Sequence, residues 1–73
     1  MIMEYNNRYS LLAGKNLRTF LKMENMTQEE FAFDYGTDVL VVNRWINNGI
    51  NKISTIESLA LYFGKTFTDF FQE

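Results

Sequence analysis

Apolar side chains recur at three- and four-residue spacings in five successive stretches of this chain, and that periodicity constrains its fold more than any other feature. Leu17, Phe20 and Leu21 fall at i, i+3 and i+4, as do Val42, Trp45 and Ile46, and again Phe67, Phe70 and Phe71. Ile56, Leu59, Ala60 and Phe63 extend the pattern to i+7, while Phe31 and Tyr35 give i and i+4. Each set lines one side of a helix and so marks one buried stripe. The stretches have matching end signals. Thr27 with Glu30, Ser54 with Glu57 and Thr66 with Asp69 have capping-box spacing, in which side chain and backbone satisfy each other's free N–H groups. Asp38 can cap a helix opening at Val39, and Gly36 and Gly64 each follow an aromatic residue where a left-handed residue closes a helix. The reading is an all-α chain with five helices, over about 11–23, 28–35, 39–47, 55–63 and 67–71. A strand through Val39, Leu40, Val41 and Val42 is the alternative, since β-branched residues favour strands, but no second alternating run exists to pair with it.

No Pro-, Gly- or Ser-rich linker and no repeat divides the 73 residues, which are too few for a second core. The expected organisation is an N-terminal arm, residues 1–9, followed by one domain, residues 10–73. A domain this small is marginal, because ordering the chain costs roughly 1.5 kcal/mol per residue. The 16% aromatic content therefore reads as core filling, completed by a partner subunit in a homodimer. The region of Phe67, Phe70 and Phe71, or the arm from Met1 to Tyr9, is the expected contact.

The chain has no Cys and no His, which removes disulfides, thiolate nucleophiles, zinc–thiolate sites, imidazole ligands and the commonest general base. The carboxylates Glu29, Glu30 and Asp34 are most simply helix-start and surface groups. No enzyme activity, metal or cofactor is expected. The longest apolar run is only Val39-Leu40-Val41-Val42, and the first residues run directly into Glu4 and Tyr5, so a soluble, cytoplasmic protein without a membrane role is expected. Seven basic against nine acidic residues give net −2, which opposes non-specific attraction to a polyanion. A single basic face suffices for nucleic-acid binding, however, so the distribution of charge matters more than its sum.

Between the second and third expected helices stand only Gly36, Thr37 and Asp38, the length and glycine placement of a helix-turn-helix turn. The stretch MTQEEFAFDYGTDVLVVNRWINNG, residues 26–49, resembles the helix-turn-helix of the lambda-type repressor and Cro family (Cro- and XRE-like regulators). The likeness rests on Thr27, Gln28, Glu29, Glu30, Ala32, Gly36, Arg44, Trp45 and Asn47, with Phe31 and Val42 as apolar equivalents. It extends to Leu17 and Arg18, to Leu59, Ala60, Phe63 and Gly64, and to Thr66, Asp69, Phe70 and Phe71, covering roughly residues 14–71.

The resemblance implies a compact lambda-repressor-like domain, of bacterial or phage origin, that binds double-stranded DNA as a transcriptional regulator. Its third helix would enter the major groove, with outward residues reaching base edges. Those outward positions are Val39, Leu40, Asn43, Arg44 and Asn47. Arg44 can grip guanine through two bonds, Asn43 can read adenine, and Val39 or Leu40 can meet a thymine methyl. Arg44 equally suits a phosphate or an acidic neighbour. For phosphates, Gln28 matches the family's anchoring position at the start of the second helix. Lys15, Arg18 and Lys22 share one side of the first helix, a pattern that also describes a solvated face, and Asn47, Asn48 and Lys52 follow the third helix.

The departures matter as well. Leu21 and Ile46 replace both members of an ion pair that the family commonly buries, so no lone charge is left behind, and the two are expected to touch. Phe33, Val39, Leu40, Val41, Ile50 and Leu61 are apolar at positions that look polar in most members of the family, and so many exposed apolar groups suit a protein partner. The competing reading is accordingly a protein-interaction module on the same scaffold that has lost DNA binding, such as an antagonist of another regulator.

Overall fold

The computed structural model describes residues 7–73, and these residues are all-helical, with no strand among them. Four α-helices, α1 (Asn7–Met23), α2 (Gln28–Tyr35), α3 (Val39–Asn48) and α4 (Ile53–Phe63), are followed by a 3-10 turn, Phe67–Phe71. The stretch 39–42 is helical, so the strand alternative fails. The expected fifth helix is the 3-10 turn, held in that tighter form over five residues only. α1 begins at Asn7 rather than near residue 11, which makes residues 7–9, expected in the arm, part of the helix. The rest of that arm, residues 1–6, lies outside the described residues.

The end signals have their expected chemistry in most places. Thr27 and Glu30 form a complete capping box on α2, and Thr66 and Asp69 form one on the 3-10 turn. The Asp38 carboxylate accepts from the Leu40 N–H at 2.9 Å and so caps α3. Gly36 and Gly64 take left-handed conformations, φ 98° and 67°, which close α2 and α4. The box expected at Ser54 and Glu57 is absent. α4 opens at Ile53 with Lys52 at its N-cap and no side-chain cap, so Ser54 already lies inside the first turn.

The stripes meet in one core in which Leu17, Phe31, Val42, Ile50, Ile56, Leu59 and Phe70 are fully buried. Phe31 stacks on Tyr35 and Phe63 at 5.2 and 5.5 Å between ring centroids, and Phe20 meets Phe70 edge-on at 5.0 Å. Leu21 is buried in this core and Ile46 is half-buried against it. Phe70 is wholly consumed in the chain's own core, which removes it from the residues expected at a dimer contact; Phe67 and Phe71 are half-buried.

Two close approaches fix α3 against α1. At Gly14 a Cβ would lie 2.2 Å from the carbonyl oxygen of Trp45, so the helices touch backbone to backbone there. Past the end of α3, Gly49 (φ 105°) sits against Ser10, and the Ile50 N–H donates to the Ser10 carbonyl at 3.0 Å. Ile50 is consequently 1% exposed, which corrects its expected place among the surface apolar residues. On the other side of α1, the buried Asn16 Nδ2 faces the carbonyls of Phe70 at 2.8 Å and Gln72 at 3.0 Å, tying the C-terminus down. No helix among the described residues is long and apolar enough to cross a membrane.

Candidate nucleic-acid interface

α2 ends at Tyr35 and α3 opens at Val39, with Gly36, Thr37 and Asp38 between them. The left-handed Gly36 lets both its own N–H and that of Thr37 donate to the Ala32 carbonyl at 2.9 Å, which turns the chain within one residue of the helix end. α3 then buries Val42 and rests Trp45 and Ile46 on the core, which leaves Leu40, Asn43, Arg44, Asn47 and Asn48 exposed. Val39 is different from its expectation. It is half-buried and packed against the core, so it is less available to a base than its neighbour Leu40, which is 72% exposed.

The polar side chains on this face are linked. Asn43 Nδ2 donates to Gln28 Oε1 at 3.3 Å, and Asn47 Nδ2 donates to Asn43 Oδ1 at 3.1 Å. These bonds join the first residue of α2 to two successive turns of α3. The pairing of Gln28 with Asn43 is not visible in the sequence, where they stand apart with only separate roles; Asn43 and Asn47, at i and i+4, could have been paired by helical spacing.

Arg44 and Lys52 line a cleft of about 380 Å³ between the end of α3 and the start of α4, together with Asn48, Gly49, Asn51 and Thr55. Among the described residues, Lys15, Arg18, Lys22, Arg44 and Lys52 make no ion pair, so their charges are available. Lys15, Arg18 and Lys22 are all exposed on α1. Gly14, Arg18 and Lys22 follow one another at four-residue spacing, so the basic row starts at the point where α1 touches α3. Asn16 and Phe20 face the other way, toward the 3-10 turn. Elsewhere among the described residues, Arg8 pairs with Glu73 at 2.6 Å, and that hydrogen bond holds the Arg8 guanidinium above its ordinary pKa.

Apolar groups interrupt the polar surface. Phe33 on α2 and Leu61 on α4 are 89% and 84% exposed, in line with their expected place on the surface. Val41, expected with them, is half-buried. Sequence reasoning missed Gly14 and Asn16 altogether. A glycine inside an apolar-periodic helix was the available signal for a close helix contact, and a lone Asn beside Leu17 was the signal for a buried tie. The chain matches no protein-family model, no curated protein and no solved structure.

Proposed function

We propose that α2, the Gly36-Thr37-Asp38 connection and α3 act as a helix-turn-helix, and that the protein is a sequence-specific DNA-binding transcriptional regulator of the lambda-type repressor and Cro kind. The observation that carries this reading is the outward face of α3. Leu40, Asn43, Arg44 and Asn47 stand exposed on one helix, Arg44 is without an ion pair, and Asn43 is hydrogen-bonded to Gln28 at the start of α2. Arg44 suits guanine, Asn43 suits adenine and Leu40 suits a thymine methyl, while Gln28, Lys15, Arg18, Lys22, Asn47, Asn48 and Lys52 suit the backbone on either side. Two copies would occupy half-sites about 34 Å apart.

Selection from a random duplex library at low salt, followed by titration of the enriched duplex, tests this reading. A recurring motif that Arg44→Ala weakens supports it. A second reading has its own observation, the exposure of Phe33, Leu40 and Leu61 on a chain of net −2, and takes the scaffold as a protein-interaction module. Because Val39 is partly packed inside, Leu40→Asp is the sharper probe of that alternative. If no duplex is enriched and a pull-down recovers a protein that Leu40→Asp releases, the regulator reading gives way to the module.

A further inference from the structure

We propose that the groove between the α1–α2 connection and the C-terminal half of α4 docks a segment of a protein partner that presents an arginine beside a large apolar side chain. Docking here is independent of the DNA-binding reading, because no residue of the groove is assigned there to a base or a phosphate.

The groove has a volume of about 490 Å³ and is lined by Glu24, Met26, Asp34, Leu61, Tyr62 and Phe63. Met26, Tyr62 and Phe63 are half-buried against the core, while Leu61 is 84% exposed. The Tyr62 hydroxyl donates to Asp34 Oδ2 at 2.6 Å and lies 3.9 Å from Met26 Sδ, which ties α4 both to α2 and to the connection before it. The Tyr62 ring also meets Phe31 and Phe63 edge-on, at 5.2 and 4.9 Å between centroids. These contacts hold the walls in place before anything binds, so little ordering is left to oppose docking.

The charge of the groove is one-sided. Glu24 and Asp34 are exposed, and neither is in an ion pair among the described residues. Both act on the Tyr62 phenol to hold its proton, so their negative charges converge on one side chain of the groove. Lys65 stands just past this end of α4, but its ammonium lies over the Phe20 ring, 5.1 Å from the centroid. A cation from outside therefore complements the groove. A guanidinium suits it best, since its flat fork matches carboxylate oxygens, stacks on aromatic rings and is less strongly hydrated than an ammonium. A small free cation would cover the carboxylates and leave Leu61 in water. A segment with an apolar residue next to the arginine covers both.

The test titrates the isotope-labelled full-length chain with three probes and follows its amide resonances. The probes are a capped Leu-Arg-Leu peptide, the same peptide with citrulline for arginine, and arginine amide alone. The arginine peptide is expected to shift the resonances of Glu24, Asp34 and residues 61–64, and to bind more weakly as salt rises. Citrulline keeps the shape without the charge and should bind about tenfold more weakly. Asp34→Asn and Glu24→Gln should each weaken the arginine peptide by about threefold, as exposed charge pairs do, and Leu61→Ala by about fivefold through lost apolar contact. Leu40→Asp, on the outward face of α3, should bind it like the parent. All the variants change exposed side chains, and circular dichroism melts check that each is folded. Equal binding of the citrulline peptide or of arginine amide overturns the proposal, as does parental binding by both Asp34→Asn and Leu61→Ala. Shifts confined to other surfaces, or none at millimolar peptide, overturn it too. If dilution of the protein alone moves the same resonances, and Asp34→Asn abolishes that effect, a second copy of this chain is the occupant and the partner segment is refuted.

Discussion

Gly14 has an ordinary helical backbone, yet it is where α1 has no room for a side chain. Replacing glycine by alanine inside a helix normally stabilises by up to about 1 kcal/mol, whereas forcing a methyl group into a closed contact costs about 1–3 kcal/mol. With the Trp45 carbonyl 2.2 Å from the added Cβ, the second effect wins, because the obstacle is backbone and cannot rotate away. Gly14→Ala is expected to destabilise the protein by about 1–2 kcal/mol in urea melts; an unchanged or raised midpoint would show that the contact is slack. Tyr62 supplies a pH-dependent term. Its hydroxyl donates to Asp34 at 2.6 Å, and that bond, with some desolvation, pushes the phenol up to about 12 from 10.0. The folded state holds this proton more tightly than the unfolded state, so the contribution is complete below about pH 10 and is lost as pH rises through about 12. Tyr62→Phe should therefore flatten the alkaline limb of stability against pH between those values, and an unaltered limb would dissociate the shift from folding.

At the scale of elements, helix ends differ sharply in how far the sequence determines them. Thr27 and Ser54 stand in the same spacing to a glutamate, but only Thr27 caps a helix. The difference lies upstream: Ile50 is drawn into the core with its N–H on Ser10, and α4 starts three residues later at Ile53. Thr27→Ala is expected to cost about 1 kcal/mol and Ser54→Ala less than about 0.5 kcal/mol, a contrast that thermal melts of the two variants can measure. Local signals thus carried α2 to both its ends, and α3 to within one residue, because Thr27, Gly36 and Asp38 act on backbone groups a few residues away. They did not carry the start of α4, the burial of Ile50 or the Asn16 tie to Phe70 and Gln72, which depend on where distant segments meet. The candidate interface divides in the same way. Exposure of Leu40, Asn43 and Arg44 follows from helical spacing opposite Val42 and Trp45, whereas the Gln28–Asn43 bond needs the angle between two helices.

For the whole molecule, the decisive quantity is how little charge it can bring to a polyanion. Seven basic residues stand against nine acidic ones, and of the basic seven, Arg8 is already committed to Glu73 while Lys65 lies over the Phe20 ring at 5.1 Å. Five remain for the proposed interface, and Arg44 is assigned there to a base, so a protomer has few cations left for phosphates. A dimer with two or three phosphate neutralisations per protomer should give a salt slope of about 4–6, because each neutralised phosphate contributes about 0.9 to it. Such a slope makes non-specific binding weak at physiological salt and leaves occupancy dependent on base contacts made by both copies together. Lys22→Ala should lower the slope by about one unit per copy and weaken all sequences alike, since it removes counterion release without touching a base. Arg44→Ala should leave the slope of the random duplex nearly unchanged, cost about 1–3 kcal/mol on the enriched one and relax preference at one base pair. Titrations of both variants across a salt series, with sedimentation of the complex to count protomers, separate these behaviours. A parent that binds every duplex equally, or that sediments on the enriched duplex as one 8.6 kDa protomer, would refute the paired reading head.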